Sequence, residues 1–160
     1  LVQETRGVNK GVWGSKTFAF RGLLKCGRCT ADITAQDKFK TLKNGDVKRF
    51  VYYNCTRRKD PSCAEKYVNE ERLCELMQGF IEKQHEDIKI TEKLRARVDK
   101  HFYTTKTILT HNGSDQKLDN PFIEYARYVL ADGTDSERTF LASNMGPMLQ
   151  IKDGELEFYV

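Results

Sequence analysis

Lys25-Cys26-Gly27-Arg28-Cys29 is the stretch that decides the fold, and its counterpart is the later pair Cys55 and Cys63. Each pair supplies two thiolates on a short turn, and Gly27 lets backbone amides curl toward sulfur. A tetrahedral zinc ion takes four such ligands, with Zn–S distances of about 2.3 Å. The order Cys-x2-Cys, 25 residues, Cys-x7-Cys therefore predicts a zinc ribbon. We interpret the zinc as structural, because a closed shell of four sulfurs leaves no position for water or substrate.

Two disulfides, or unrelated free thiols, are the alternatives for these four cysteines. Disulfides suit an oxidising compartment, but the sequence shows neither a signal peptide nor an apolar run long enough to span a membrane. The fifth cysteine, Cys74, shares the apolar face of a predicted helix with Met77 and Ile81, which indicates a core thiol. His85 and His101 are conceivable replacement ligands, but both lie on predicted helices away from the cysteine turns.

Charge is distributed unevenly along the 160 residues, although the net charge is only +4. Residues 1–60 hold fourteen Lys or Arg against five Asp or Glu, whereas residues 61–160 hold thirteen against eighteen. A cationic N-terminal part that contains a zinc ribbon indicates a polyanionic partner, of which nucleic acid is the commonest. The acidic second half argues against a protein that coats DNA with its whole surface. Because the chain begins at Leu1, we expect a fragment or processed piece.

The pattern of the chain predicts an α+β fold, a zinc β-ribbon followed by a small helical region and a C-terminal β-hairpin. Residues 1–17 form a basic linker or arm, and residues 18–68 form the ribbon. Within the ribbon we predict strands over 31–39 and 47–53, joined by a turn at Lys43-Asn44-Gly45-Asp46. The helical region covers 69–146, and the hairpin covers 147–160, where apolar residues alternate around Asp153-Gly154.

Three capping signals place helices in the helical region. Asn69 precedes a stripe that reaches about residue 84, Asn120-Pro121 opens a helix that ends near Gly133, and Thr134 with Glu137 forms a capping box. A further helix is predicted from about 90 to 108. Its narrow apolar seam permits a short coiled coil over 88–108, but it holds barely two heptads, so we favour a surface helix packed on its neighbours.

Residues 20–29, FRGLLKCGRC, together with Tyr52-Tyr53-Asn54-Cys55 and Cys63, resemble the zinc β-ribbon domain of large serine recombinases. These are the phage-type integrases and related transposon resolvases. Residues 128–134, YVLADGT, with the predicted hairpin after them, are similar to the C-terminal stretch of some members. The likeness covers roughly residues 16–86 and 121–160.

The resemblance implies a sequence-specific DNA-binding C-terminal domain that grips the attachment site and aids synapsis in DNA integration. Its partners would be double-stranded attachment-site DNA and other recombinase protomers, with a directionality factor as a further candidate, and no membrane. In the family, a separate serine-bearing domain cuts DNA, and a coiled coil governs synapsis. This fragment shows no such catalytic domain, so we expect it not to be an enzyme by itself, with no catalytic residue. Its serines lack an activating context: Ser15, Ser62, Ser114, Ser136 and Ser143.

Two departures from the family pattern are visible. The family usually has Gly after the second cysteine, where this chain has Thr30. The interval 88–120 has room for one helix of about twenty residues and no return helix, whereas the coiled coil is long in many family members.

DNA binding would rest mainly on electrostatic attraction. Contacts to phosphates would supply most of the affinity and would position the protein on the duplex. Arg57 and Arg58 are the first candidates for reading bases, because arginine makes bidentate contacts to guanine. The candidate DNA contacts are Arg6, Lys10, Lys16, Lys25, Arg28, Lys38, Lys40, Lys43, Lys48, Arg49, Arg57, Arg58 and Lys59.

Two other classes of function remain open. One is a protein-interaction module without intrinsic DNA specificity, in which the acidic helices from Asn69 onward dock a partner. The other is an enzyme with catalytic zinc, which would need an open coordination position and a nearby base. Reduced thiols and the family likeness favour a bacterial or phage-encoded protein in the cytoplasm.

Overall fold

The computed structural model describes residues 16–160, which contain four helices and eight strands. The helices are α1 (Glu70–Gln84), α2 (Glu92–His111), α3 (Pro121–Asp132) and α4 (Asp135–Ser143). The strands are β1 (Leu24–Cys26), β2 (Ile33–Thr41), β3 (Val47–Cys55), β4 (Val68–Asn69), β5 (Lys89–Ile90), β6 (Met145–Gly146), β7 (Leu149–Lys152) and β8 (Glu155–Phe158). The predicted α+β class, with a ribbon, a helical region and a final hairpin, is confirmed.

The ribbon is a hairpin of β2 and β3, extended by β4 on the far side of β3. The antiparallel register pairs Ile33 with Cys55 at the base and Thr41 with Val47 at the tip. Gly45 adopts φ +88° in the connecting turn, a conformation that costs glycine little. Both predicted strands and the turn are confirmed. Strand β2 begins and ends two residues later than predicted, and β3 ends two residues later.

The three capping predictions are confirmed. Asn69 Oδ1 accepts the backbone N–H of Arg72 at 2.7 Å, and Thr134 and Glu137 form a reciprocal capping box. Asn120 caps α3, with Pro121 at its first position. The predicted helix over 90–108 begins two residues later, and it ends at residue 111.

Helix α2 packs on α3 through its N-terminal half, where Leu94 and Val98 are buried. Its C-terminal half leaves Tyr103 and Ile108 exposed. Within residues 16–160 the structure shows no coiled coil, and the segment after α2 is a loop leading to α3. The arrangement matches the favoured interpretation of a surface helix packed on its neighbours.

The C-terminal hairpin of β7 and β8 joins the start of the ribbon. Strand β1 pairs in parallel with β7, matching Leu24 with Leu149 and Cys26 with Ile151. Sequence patterning predicts the hairpin but gives no sign of this pairing. The first cysteine turn therefore lies directly against the tail of the chain.

Ribbon, helices and hairpin share one hydrophobic core. Phe20 and Tyr53 from the ribbon, Met77 from α1 and Ile151 from β7 are almost completely inaccessible to solvent. Phe80 of α1 also meets Phe158 of β8, with the two rings edge to face and their centroids 5.0 Å apart. No helix in the described part of the chain is both long and apolar enough to cross a membrane.

Candidate metal centre and nucleic-acid interface

The four predicted zinc-binding cysteines come together at the base of the ribbon. The Sγ atoms of Cys26, Cys29, Cys55 and Cys63 all lie within 4.8 Å of one another. The Cys26–Cys63 separation is 3.7 Å and the Cys29–Cys55 separation is 3.4 Å. A disulfide requires about 2.05 Å, whereas tetrahedral zinc with Zn–S of about 2.3 Å places its sulfurs about 3.8 Å apart. The residues therefore fit one zinc ion, and the disulfide alternative is excluded.

Neither histidine considered as a substitute ligand belongs to this cluster. Among residues 16–160, the only group suited to a metal ion consists of the four cysteines. His101 instead stacks on Tyr128, with ring centroids 4.9 Å apart. Cys74 is buried on α1, and burial raises the pKa of its thiol to about 11, as expected of a core cysteine.

Backbone N–H groups stabilise both cysteine turns. The N–H of Arg57 donates to Cys55 Sγ at 3.2 Å, and the N–H of Thr30 donates to the Cys26 carbonyl at 2.8 Å. Thr30 and Arg57 adopt φ of 64° and 56°, in the left-handed region that favours glycine. The position after the second cysteine therefore requires a glycine-like conformation, and threonine adopts it here with strain.

Burial disfavours the charged thiolate form of the zinc-binding cysteines. It raises the pKa of Cys26, and it raises the pKa of Cys55 to about 12. Zinc coordinates thiolates, and a bound ion offsets the cost of deprotonating buried sulfur. When bound, the ion would make both turns rigid, because it would connect all four sulfurs. A four-sulfur shell leaves no open coordination position for a substrate.

One face of the β2–β3 hairpin combines lysines with aromatic rings. Lys38 Nζ lies 5.7 Å from the ring centroid of Tyr52, while Lys40 and Lys48 lie 5.4 and 5.1 Å from that of Phe50. The antiparallel register places these five side chains on the same face, because Lys38 pairs with Phe50 and Lys40 with Lys48. We call this set the lysine–aromatic face.

The opposite face of the hairpin carries charges that are already paired. Lys16 and Arg49 donate to the two carboxylate oxygens of Asp37 at 2.9 and 3.0 Å. Only 8% of the Asp37 side chain is exposed, and the hydrogen bonds from Lys16 and then Arg49 hold its pKa below the ordinary value. These two cations are thus engaged within the chain.

Other candidate cations near the metal centre are also engaged. Lys25 pairs with Asp32, and Arg28 pairs with both Glu65 and Asp153.

Two further candidates make weaker contacts within the chain. Lys48 reaches Glu71 at 3.5 Å, and Lys59 donates to the hydroxyl of Thr30 at 3.2 Å. The candidate contacts Arg6 and Lys10 lie outside the described residues.

Five of the candidate contacts are exposed, and in the described part of the chain their side chains form neither an ion pair nor a hydrogen bond. They are Lys38, Lys40, Lys43, Arg57 and Arg58. Sequence reasoning could not distinguish the paired basic residues from the free ones, and it missed Glu65 and Asp153, whose partners lie far away along the chain.

In a comparison with known proteins, part of the chain matches a family model. Residues 19–81 match the family model described as the recombinase zinc beta ribbon domain. No curated protein matches the chain. A solved structure titled as the crystal structure of an LSR–DNA complex is similar with a TM-score of 0.46 and 15% identity, covering 99% of this chain and 60% of that one. The chain thus spans about 60% of the length of that structure.

The family match coincides with the part of the chain that holds the cysteine cluster and the hairpin. All four thiols lie between residues 19 and 81, at the spacing from which a zinc ribbon was predicted. Over residues 19–81, the chain is therefore similar to recombinase zinc beta ribbon domains.

Proposed function

We propose that this chain is the DNA-binding C-terminal part of a large serine site-specific recombinase, and that it grips an attachment site during DNA integration. The observation that carries the proposal is a recombinase zinc ribbon that presents an exposed lysine–aromatic face. Zinc would hold the base of the hairpin rigid, so its lysines meet DNA at a lower ordering cost than lysines on a free loop.

The β2–β3 hairpin has the shape for this task. The major groove of B-DNA, about 12 Å wide, admits a two-stranded β-ribbon. Nine residues in each strand pair continuously, from the cysteine cluster to the tip. Lys38, Lys40 and Lys48 then contact phosphates, and contacts of this kind make affinity fall steeply with salt.

Arg57 and Arg58 are the side chains proposed to read bases. Both are exposed in the second cysteine turn, and neither is held by a carboxylate among residues 16–160. Their turn is fixed to zinc through Cys55, which limits the side-chain freedom lost on binding. A bidentate arginine–guanine contact discriminates by about 1–3 kcal/mol.

The paired cations have a smaller role in this proposal. Arg28, Lys25 and Arg49 would have to give up intrachain carboxylates to reach DNA, so we assign them to the ribbon itself. Lys59 remains a candidate phosphate contact at the rim of the second turn. Other protomers, or a directionality factor, would contact the exposed half of α2, where Tyr103 and Ile108 face outward.

The test is fluorescence anisotropy with duplex DNA across a salt series, using zinc-loaded protein. We expect micromolar or tighter binding with a steep negative slope of log K against log salt. Each lost phosphate contact should reduce the slope by about 0.9, so the triple variant Lys38→Ala, Lys40→Ala, Lys48→Ala should reduce it by about 2–3.

The matched control removes the same charge from exposed lysines of α2, as Lys93→Ala, Lys100→Ala, Lys106→Ala. Its salt slope should stay within about 0.5 of that of the unsubstituted protein, since its lysines lie outside the proposed interface. Equal losses in the two triple variants would reject the lysine–aromatic face as the interface. Undetectable binding at low salt would reject DNA binding and favour the protein-docking alternative.

A further inference from the structure

We propose that Glu65 is a positioning residue of the zinc centre, and that through it the C-terminal hairpin sets the affinity of the four cysteines for zinc. Glu65 is the one buried residue with a charged side chain in the described part of the chain, at 3% exposure. A buried carboxylate is costly unless its oxygens are satisfied by donors.

Three donors satisfy the Glu65 carboxylate, and two of them belong to the hairpin turn. Oε2 accepts from Arg28 Nε at 3.1 Å and from the backbone N–H of Asp153 at 3.0 Å. Oε1 accepts from the backbone N–H of Gly154 at 3.1 Å. Arg28 also pairs with the Asp153 carboxylate. One side chain therefore ties a cysteine turn to the tail of the chain.

Glu65 and Arg28 lie close to zinc-binding cysteines in the sequence, so the ion pair between them affects the metal centre. Glu65 follows Cys63 by two residues, and Arg28 lies between Cys26 and Cys29. The carboxylate thus bridges the first cysteine turn to the second.

The hairpin also contacts the first turn directly. The N–H of Gly27 donates to the Ile151 carbonyl at 2.7 Å, and Cys26 pairs with Ile151 across β1 and β7. The tail consequently holds the first turn through its backbone and the second through Glu65.

Groups beyond the ligands orient a metal site, and losing one typically costs 10–100-fold in metal affinity. In Glu65→Gln an NH2 group replaces one carboxylate oxygen, so at least one of the three donors loses its acceptor and the link between the two cysteine turns is weakened. The sulfurs must then be ordered at the moment of binding, which lowers affinity.

The test measures zinc affinity by competition with a chelator, together with the visible absorption of the cobalt-substituted protein. Glu65→Gln keeps the shape of the side chain and removes its charge. We expect zinc to bind at least tenfold more weakly and the cobalt bands to shift, since a less ordered thiolate shell changes the ligand field.

Asp37→Asn is the matched control. Asp37 is also a nearly buried carboxylate with two donors, and it lies on the ribbon away from the cysteine turns. A variant that merely destabilises the ribbon should leave the cobalt bands in place, and zinc affinity should change less than threefold. Equal changes in both variants, or unchanged affinity and bands in Glu65→Gln, would overturn the proposal.

If Glu65→Gln does not fold, Arg28→Gln carries the test. Its side chain is 45% exposed, so the substitution does not bury a new unsatisfied group. We expect a smaller loss of zinc affinity, about threefold to tenfold, accompanied by the same direction of shift in the cobalt bands. No change in either readout would count against the proposal.

Discussion

Tyr53 donates a hydrogen bond of 2.7 Å from its hydroxyl to Glu70 Oε2, and this bond joins the zinc ribbon to α1. The same hydroxyl accepts the N–H of Phe20 at 3.2 Å. Glu70 Oε1 in turn accepts from Arg138 Nη1 at 3.1 Å, and Arg138 donates to the Leu130 carbonyl at the end of α3. Burial and then Glu70 raise the pKa of Tyr53, so the phenol remains a donor at all ordinary pH values.

Replacing Tyr53 with Phe should destabilise the protein by about 1–3 kcal/mol, because the buried N–H of Phe20 and the Glu70 carboxylate each lose a partner. Urea unfolding of the zinc-loaded protein measures the change. Tyr67→Phe is the control, since the Tyr67 side chain is 53% exposed, and we expect less than about 0.5 kcal/mol there. Similar losses of unfolding free energy in the two variants would show that the hydrogen bonds of the Tyr53 hydroxyl do not stabilise the protein.

Thr30→Gly should stabilise the ribbon by about 1 kcal/mol, because a left-handed conformation costs a residue with a Cβ about 1–2 kcal/mol. The lost contact from Lys59 to the threonine hydroxyl is exposed and offsets little of this gain. Thermal unfolding provides the measurement. Thr34→Gly on β2 should act in the opposite direction, since glycine weakens a strand. A lower melting temperature for Thr30→Gly would contradict the strain argument.

Gly27→Ala should weaken the contact between the first cysteine turn and the hairpin. A Cβ at this position would lie 2.5 Å from the Cβ of Lys152, closer than atoms can approach. We expect a loss of about 1–3 kcal/mol in unfolding free energy, as for other overpacked sites. Lys152→Gly removes the clashing atom, so adding Gly27→Ala to Lys152→Gly should cost much less than adding it to the unsubstituted protein. An equal cost in both backgrounds would show that the clash with the hairpin is not the cause.

Acid should weaken the ribbon partly through Asp37. Its folded-state pKa is lowered by Lys16 and Arg49, so its contribution to stability is present above the ordinary carboxyl pKa of about 4. That contribution is lost as pH falls through the folded pKa. The difference in stability between the unsubstituted protein and Asp37→Asn should therefore shrink below about pH 4. A difference that stays constant from pH 7 to pH 3 would exclude this ionisation as its source.

Cys26→Ser or Cys63→Ser should unfold the ribbon while leaving much of the helical circular dichroism. The helices have their own caps, and α1 and α2 each pack on α3, whereas the cysteine turns of the ribbon depend on zinc. Cys74→Ala is the control, because this buried thiol lies outside the metal cluster and its replacement should leave zinc binding intact. Unchanged dichroism and melting in both ligand variants would refute a structural role for zinc.

Sequence patterns predicted the features that are set locally. Cysteine spacing predicted the metal centre, and Asn69, Thr134 and the Asn-Gly turn predicted element ends, because each depends on groups a few residues apart. The pairing of Leu24 with Leu149 and the burial of Glu65 depend on residues far apart in the chain, and no local pattern encodes them. For the same reason, basic residues could be counted, but those held by carboxylates could not be distinguished from those left free.

The parallel pairing of β1 with β7 also has a consequence for the order of events during translation. Arg28 and Asp153 are separated by 125 positions, so the first cysteine turn emerges from the ribosome well before the tail that completes it. At about 5–20 residues per second, that interval is on the order of ten seconds. All four zinc-binding cysteines are therefore synthesised before the hairpin that contacts the first cysteine turn, and their thiols must stay reduced during that interval if they are to bind zinc.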